Sequence, residues 1–448
     1  MRILYIDIDS LRPDHLGCYG YHRATSPNID RVAAAGVRFD NYYITDGPCL
    51  PSRTAMWTGR FGIHNGVINH GGAASEPFPD GAARMFRSTL GRTNWMTCLR
   101  QAGMKTATVS PFGERHSAFH WYAGFNEIYN TGKGGIERAD EIAPIALEWL
   151  AKNAREENWF LHVNFWDPHT PYRTPDSFGN PFASDPLPAW LTEDVRQQHW
   201  AGCGPHSARE IPGFNDQPYG DYPLQPWTAD SMQQVRRMFD GYDSGVLYAD
   251  QHIGQVLSAL ADQNVLDETV IIISADHGEN LGELNIYGDH QTADQITARV
   301  PLIVKWPGVV PPGTTSRALV SLVDVLATIA DAVRRPLPAD AGEDSVSFFP
   351  LLRQPAAPFE RRGAVVVQSG NGSLAIREGR WKLCMAPGSG GLSAPVPGSK
   401  DERGLPAVQL FDLEADPSEK TNLQSAHPEI VRRLTALLER YRKTGRSR

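Results

Sequence analysis

Cysteine is scarce in this chain of 448 residues, and none of the five cysteines belongs to a CxxC pair. A disulfide framework and a structural zinc site are therefore not expected, and a reducing cytoplasm is the expected location. A strand-like run begins directly after Met1, which leaves no room for a signal peptide. A periplasmic location is expected only if an export signal has been removed from the chain.

Long apolar runs and dense basic runs are also absent. The longest apolar stretches, such as residues 270–274, are far too short to span a bilayer, so no membrane segment is expected. The net charge is −8 and no cluster of Lys and Arg has the density of a nucleic-acid site, so no nucleic-acid partner is expected. With 41% hydrophobic and 21% charged residues, the composition is typical of a globular chain with a sizeable core. No feature indicates an oligomeric state.

The first two thirds of the chain alternate short apolar strands with helical patterns. Strands are predicted at residues 3–8, 159–165, 270–274 and 300–304, and helices at 29–35, 141–154, 229–260 and 322–333. The strands show no polar alternation, which is typical of strands that are buried on both faces. Such strands separated by helices predict an α/β fold, with helices on both faces of a mostly parallel sheet.

The pattern changes near residue 355. Four short strands joined by glycine-containing turns are predicted at 364–368, 374–377, 381–385 and 407–411, and a helix at 428–441. We therefore predict a large α/β domain at 1–354 and a C-terminal α+β subdomain at 355–448. Two long segments, 171–226 and 386–406, have no predicted element; the first is rich in aromatic residues, which argues against simple disorder.

The most specific motif is C-L-P-S-R at residues 49–53, followed by T-G-R at 58–60. A helix is predicted to start just after Pro51. Cys49 would then lie at the helix N-terminus, where backbone N–H groups and the helix dipole favour an anion. Arg53, near the start of the same helix, is expected to pair with a deprotonated nucleophile at position 49. The alternative is a cysteine that is merely buried in a helix cap.

This motif resembles the signature of the sulfatase family, C-x-P-S-R with a downstream T-G. The resemblance implies that Cys49 is oxidised to formylglycine, whose hydrated aldehyde is a gem-diol. One hydroxyl of the diol attacks sulfur, and the other expels sulfate by re-forming the aldehyde. A separate formylglycine-generating enzyme is then implied as a partner during maturation.

Acidic residues follow two of the predicted strands. Asp9 comes directly after the first strand, and Asp276 and His277 follow the strand at 270–274. Because parallel sheets place their sites at the carboxyl ends of the strands, these side chains are expected to converge. Hard ligands beside an anionic substrate favour a divalent cation, although a lone Asp at a strand end is more commonly a helix N-cap.

The sulfatase resemblance implies how these ligands combine. The metal would be held by four residues: Asp9, Cys49 as formylglycine, Asp276 and His277. Ser10 stands where the family often has a second Asp, and Asp7, on the same strand face as Asp9, is either its replacement or a hydrogen-bonding support. Calcium is the metal that the family implies. Because His277 occupies the last ligand position, manganese is an alternative, and magnesium is a further one.

Four histidines and an arginine complete the predicted site. His169 lies in D-P-H-T-P-Y at 167–172, which resembles a family turn whose histidine contacts the sulfate and protonates the leaving alcohol. The register of the resemblance assigns His290 to the position of a sulfate-binding lysine, and His116 or Arg115 to that of a second lysine. His70, in a glycine-flanked loop, is expected to reach the substrate. Each histidine also has a plain alternative, a surface or packing role.

The resemblance covers nearly the whole chain, from Asp9 through R-V-P-L at 299–302 to L-F-D-L-E-A-D-P at 410–417. It implies an alkaline-phosphatase-like α/β/α sandwich followed by a small C-terminal antiparallel sheet and a helix, in agreement with the elements predicted from periodicity. The implied activity is hydrolysis of a sulfate ester, either a small molecule or an oligosaccharide. The aromatic residues between 171 and 227 favour a sulfated carbohydrate, since aromatic faces pack against sugar rings.

Two alternatives stay open. Family relatives with an Asp-His metal pair use the same formylglycine site to hydrolyse phosphonate monoesters or phosphodiesters. Histidines in place of the family's lysines favour the singly charged sulfate ester over the more highly charged phosphoryl group. A non-catalytic protein of this fold is the other hypothesis, and the intact Cys49 and Arg53 argue against it.

Overall fold

The computed structural model describes residues 1–78, 94–202, 204–212, 222–392 and 394–448, and a large sheet lies at its centre. The strands of this sheet are β1 Arg2–Ile8, β2 Val37–Tyr43, β3 Lys105–Val109, β4 Glu127–Tyr129, β5 Trp159–Phe165, β6 Thr269–Ser274, β7 Leu302–Lys305 and β8 Thr314–Ser321. They lie in the order β4-β3-β5-β1-β6-β7-β2-β8. The pairs that β7 forms with β6 and β2 are antiparallel, and the others are parallel.

The central strands β5, β1 and β6 carry apolar residues on both faces because both faces are covered. Every residue of β5 and β6 is buried, and Ile3 of β1 lies between Phe160 of β5 and Val270 of β6. Two polar side chains of these strands, Asp7 and His162, are also fully buried, and their side chains lie 3.3 Å apart. Charged groups therefore enter the core at the end of the sheet where the strands finish.

Helices pack against this sheet and against one another. In the described residues they are α1 Pro27–Ala34, α2 Cys49–Thr58, α3 Gly62–Asn65, α4 Trp95–Gln101, α5 Phe112–Arg115, α6 Ala139–Asn153, α7 Glu193–Ala201, α8 Met232–Asp262, α9 Gln295–Ala298, α10 Asp324–Ala332, α11 Phe349–Arg353 and α12 Pro428–Thr444. Helices α1 and α6 both contact α8. Helices α2 and α4 both contact α10. None of the helices in the described part of the chain has both the length and the apolar character that crossing a bilayer requires.

A second, smaller sheet follows. Its strands β9 Val365–Gln368, β10 Leu374–Glu378, β11 Trp381–Cys384 and β12 Gln409–Asp412 pair antiparallel in the order β12-β11-β10-β9. Helix α12 contacts β10 and β11 and buries Leu434, Leu438 and Tyr441. The predicted fold class, a mostly parallel α/β sheet with a small antiparallel sheet and a helix, is confirmed. The division at 354 and 355 stays a prediction.

The strands that the sequence analysis missed are the shorter or more polar ones. Strand β2 contains charged residues at half-buried positions, and β8 contains an exposed arginine. Strands β3 and β4 lie at the opposite edge of the sheet. Helix α7, which the Thr192 side chain caps, lies inside the segment 171–226 that had no predicted element. Trp190 and Trp227 of this region are 37% and 39% exposed, whereas Phe214 and Tyr219 lie outside the described residues.

We expect Ile271→Ala, in the fully buried centre of β6, to lower the free energy of unfolding by about 2–5 kcal/mol, because it removes packed methyl groups and leaves a cavity. Urea unfolding followed by circular dichroism measures the change. Ile128→Ala is the matched control, since Ile128 lies on β4 and is 45% exposed. Equal shifts in the two variants would contradict the assignment of β6 to the core.

Candidate functional site

Three neighbouring strands finish at one edge of the large sheet, and each is followed by a residue of the predicted site. Asp9 follows β1, Asp276 follows β6, and His169 lies in the turn after β5. The backbone N–H of Asp9 donates to the carbonyl oxygen of Phe165, at 2.9 Å, so the pairing of β1 with β5 continues into the site. Adjacent parallel strands deliver their carboxyl ends to one place, which is why residues so far apart in sequence converge.

Cys49 is the first residue of α2, which begins two residues before Pro51 rather than after it. Its Sγ lies 3.1 Å from Nε2 of His277, and the side chain is buried. The Ser52 hydroxyl donates to the carbonyl oxygen of Asp276 at 2.5 Å, which fixes the first turn of α2 against the end of β6. The predicted position of Cys49 at a helix N-terminus is therefore what the structure has.

Arg53 joins three carboxylates through its Nε and Nη1, while its buried Nη2 has no hydrogen-bond partner among the described residues. Its Nε donates to Oδ2 of Asp7 at 2.7 Å. Its Nη1 donates to Oδ2 of Asp9 at 3.0 Å and to Oδ2 of Asp276 at 2.6 Å. All four side chains are buried, so these charge-assisted bonds replace solvation that the groups lose.

The charges of this cluster do not balance. Burial raises the pKa of Asp276, and the nearby carboxylates Asp9 and Asp7 raise it further against the effect of Arg53. Burial also acts to raise the pKa of Asp9, but Arg53 and neighbouring imidazoles outweigh it and hold that pKa at about 2. When all three carboxylates are ionised, their charge exceeds that of one guanidinium in a buried place, and a cation with two charges would compensate the difference.

Four candidate ligands converge at this excess of charge. Their donor atoms, one each from Asp9, Cys49, Asp276 and His277, all lie within 4.8 Å of one another. Oxygen, imidazole and sulfur donors at this spacing fit a divalent cation. Asp7 is not in this set: its Oδ2 is engaged by Arg53 and His162, which favours a supporting role over that of a replacement ligand.

Imidazoles surround Cys49, and we call the following five residues the histidine group: His70, His116, His169, His277 and His290. The rings of His277 and His290 are stacked with centroids 4.5 Å apart, and the ring of His169 lies 4.6 Å from that of His290. His70 and His116 form a second pair, at 4.1 Å. Burial lowers the pKa of every member, and that of His70 falls to about 3. These side chains are therefore neutral near pH 7.

Arg115 adds positive charge beside the histidine group. Its guanidinium donates to the carbonyl oxygens of Gly134 at 3.1 Å and Gly135 at 3.3 Å, and it packs over the Trp166 ring at 5.2 Å. After burial, Arg115 is a further cause of the lowered pKa of His70. The guanidinium of Arg115 together with several neutral imidazoles suits an anion of low charge.

Residues 2–334 match the family model described as Sulfatase, which is more than half of the chain. The chain belongs to the sulfatase family.

The relatives of this sulfatase, and the solved structures that it resembles, are named for different esters. The chain is 27% identical to the N-acetylgalactosamine-6-O-sulfatase of Bacteroides thetaiotaomicron, over 98% of this chain and 92% of the relative. It is 26% identical to the choline-sulfatase of Rhizobium meliloti, over 89% and 77%. A structure solved with its substrate D-glucosamine-2-N,6-O-disulfate superposes with a TM-score of 0.76 at 21% identity, covering 99% and 98% of the two chains. The phosphonate monoester hydrolase of Silicibacter pomeroyi superposes with a TM-score of 0.70 at 21% identity, covering 100% and 96%. At these identities, the structural likenesses show the fold.

The sequence analysis of this sulfatase missed the side chain that holds the turn after β1. The Tyr242 hydroxyl donates to the carbonyl oxygen of Ser10 at 2.7 Å and accepts from the backbone N–H of Arg12 at 2.9 Å. Ser10 has a φ of 60°, in the left-handed region, and its N–H donates to Oδ1 of Asp276 at 3.2 Å. Tyr242 lies inside the helical pattern of α8, where nothing local distinguishes it from an ordinary core residue.

The sequence analysis also missed that the C-terminal residues hold the segment 289–295 of the sulfatase site, which carries one of the central histidines. The backbone N–H of Gly370 donates to the carbonyl oxygen of Gln291 at 2.8 Å. The N–H of Ala293 donates to the carbonyl oxygen of Ser389, also at 2.8 Å. Residues more than seventy positions downstream therefore define the course of this segment.

A buried ion pair completes this hold. Oε2 of Glu419 accepts from the backbone N–H of Gln295 at 2.6 Å, while its Oε1 lies 2.6 Å from the ammonium group of Lys382. Both charged side chains are almost fully buried. Glu419 thus satisfies an N–H at the start of α9, a few residues after His290.

We expect Arg53→Met to lower the free energy of unfolding by about 3–5 kcal/mol at neutral pH, because it leaves three buried carboxylates without their guanidinium. Urea unfolding in the presence of a chelator measures this effect. Arg442→Met is the control: its pair with Glu439 is exposed, so the unfolding midpoint should not move. An unchanged midpoint in Arg53→Met would show that the carboxylates do not depend on Arg53.

Proposed function

We propose that this sulfatase hydrolyses the sulfate ester of a carbohydrate at a formylglycine made from Cys49. The observation that carries the proposal is the position of Cys49, at the N-terminus of α2 with its Sγ among the donor atoms of Asp9, Asp276 and His277. A nucleophile placed there lies beside the helix dipole and beside a site for a cation, and both stabilise negative charge on the attacking oxygen.

The metal of the proposed enzyme is held by Asp9, Asp276, His277 and the residue at position 49. Calcium is our first assignment, and magnesium is a further oxygen-binding alternative. Manganese is the alternative that the imidazole of His277 favours. A divalent cation at this place supplies positive charge that lowers the pKa of the nucleophile. Arg53 keeps Asp9 and Asp276 oriented toward the ion, and Asp7 in turn keeps Arg53 in place.

Conversion of Cys49 requires a formylglycine-generating enzyme as a partner. Burial raises the pKa of the Cys49 thiol, and Asp9 and Asp276 raise it further, so the unconverted residue is a neutral thiol and a poor nucleophile. Formylglycine, once hydrated, supplies an oxygen nucleophile instead.

The histidine group and Arg115 bind the sulfate in this proposal. His70, His116 and His290 donate N–H groups to the sulfuryl oxygens, and Arg115 contributes a full positive charge. His169 gives a proton to the leaving oxygen. Burial keeps the pKa of His169 low in the free protein, and the negative charge of a bound sulfate raises that pKa so that the ring can carry the proton.

The carbohydrate part of the proposal rests on two supports. The N-acetylgalactosamine-6-O-sulfatase relative aligns over almost the whole of this chain. Trp227 is partly exposed, and its carbonyl oxygen accepts from the N–H of Ile211, whose side chain lies beside Gly288 near the site. The cytoplasmic location expected from the sequence stays a prediction.

We expect protein with formylglycine at position 49, confirmed by peptide mass, to hydrolyse an aryl sulfate faster than an aryl phosphonate monoester. Removal of the metal by a chelator should abolish turnover, and re-addition of calcium or manganese should identify the ion. Cys49→Ala should lose at least about 10⁴-fold in kcat. Cys18→Ala is the control, because Cys18 lies outside the site and should leave kcat unchanged.

Faster turnover of the phosphonate would replace the sulfate ester by the phosphonate ester as the substrate class. Full activity of Cys49→Ala would overturn the assigned nucleophile.

For a sulfated sugar, we expect Trp227→Ala to raise KM by about 2- to 10-fold, the loss of one aromatic contact, without changing kcat/KM for a small aryl sulfate. Steady-state kinetics with both substrates measures the difference. Tyr129→Ala, an exposed aromatic residue on the edge strand β4, should change neither value. An equal effect of Trp227→Ala on both substrates would argue against sugar stacking at this residue.

A further inference from the structure

A second set of donor atoms meets the sulfur of Cys49. One donor atom each from Cys49, His70 and His116 lie within 4.8 Å of one another. This set shares only Cys49 with the carboxylate set of Asp9 and Asp276. The two rings are 4.1 Å apart, and Nε2 of His116 is buried with no hydrogen-bond partner among the described residues.

The chemistry of this set differs from that of its neighbour. A thiolate with two imidazoles is a donor set for zinc or a similarly soft ion, whereas carboxylate oxygens favour calcium and magnesium. Around a tetrahedral zinc ion, ligand atoms are about 3.3–3.6 Å apart. Side chains whose donor atoms are already within 4.8 Å therefore need only small movements to close on the ion.

We propose that the protein with Cys49 as a free thiol binds Zn²⁺ through Sγ of Cys49 and the imidazoles of His70 and His116. Binding forms one Zn–S bond and two Zn–N bonds and releases the thiol proton to solvent, and no oxidant or reductant takes part. Water fills the fourth position. This site goes beyond the proposed hydrolysis and does not rest on it, because it belongs to the unconverted chain.

The surroundings favour this metal complex. The N–H of Leu50 donates to Nε2 of His70 at 3.3 Å, a long bond that metal binding can replace. That N–H belongs to the first turn of α2, where amide donors and the helix dipole stabilise the thiolate of Cys49.

A third set, Cys49 with His277 and His290, offers a competing place for the same ion. Its member His277 lies 3.3 Å from a carboxylate oxygen of Asp276 and 3.7 Å from one of Asp9. A cation bound through His277 would therefore join the carboxylates, and its binding would depend on Asp276. The set with His70 and His116 contains no carboxylate, so the two places can be told apart by substitution.

The test uses the full chain with a Cys49 thiol, confirmed by peptide mass, and Co²⁺ as the probe. We expect one equivalent of Co²⁺ to produce a thiolate-to-cobalt charge-transfer band in the near ultraviolet, and Zn²⁺ to displace it. Cys49→Ser should abolish the band. His116→Ala and His70→Ala should each weaken Co²⁺ binding by at least ~10–100-fold. That is the cost of losing a residue that only supports a metal ligand, and a direct ligand should cost no less. Asp276→Asn and His290→Ala should keep the band.

A band that survives in Cys49→Ser, or one that is lost in Asp276→Asn or His290→Ala but kept in His116→Ala, would overturn the proposal. Thermal melting of each variant checks that it is folded.

Alkylation of the native chain by iodoacetamide is the independent measurement. Zn²⁺ should slow the labelling of Cys49 and leave that of Cys18 unchanged. Equal labelling of Cys49 with and without Zn²⁺ would contradict the site. Neither readout depends on hydrolysis, so failure of the proposed function leaves this result standing.

Discussion

The guanidinium of Arg53 holds three buried carboxylates, and the arrangement of the site depends on that contact. Asp7, Asp9 and Asp276 come from two different strands, and their mutual repulsion inside the core would drive them apart without a shared cation. One arginine fixes their positions but cannot neutralise them all. The charge that remains when all three carboxylates are ionised makes this place suited to a metal ion.

The helix that carries Arg53 also carries Cys49, the proposed precursor of the nucleophile, so a single element positions both this residue and the carboxylates. The hydroxyl of Ser52 ties this helix to the end of β6. This contact fixes the N-terminus of the helix beside the carboxylates, and an enzyme needs such fixed dipoles if they are to be oriented before reaction. The histidine group surrounds this centre with neutral donors. The thiol of Cys49 lies close both to carboxylate oxygens and to imidazole nitrogens.

Much of this could be predicted from local sequence. The bounds of β5 match the predicted strand, and Asp9 and Asp276 lie where strand ends predict them, because burial on both faces leaves an unmistakable apolar run. The features of the site that the sequence did not indicate are contacts between residues far apart in the chain. The contacts of Arg53 with three carboxylates are not apparent from the local sequence, and its pairing with a nucleophile at position 49 stays a prediction. Tyr242 and Glu419 act on the site from positions far along the chain, and a local pattern contains no information on such contacts.

Segment 289–295 is held by hydrogen bonds with Gly370, Ser389 and Glu419. These residues are synthesised long after the residues around Cys49. Ribosomes add roughly 5–20 residues per second, so Glu419 is synthesised roughly 20–70 s after Arg53. During that interval segment 289–295, which contains His290, lacks its hydrogen bonds to the C-terminal residues. If Cys49 is converted to formylglycine as proposed, this interval separates synthesis of the residues around Cys49 from formation of the contacts that fix segment 289–295.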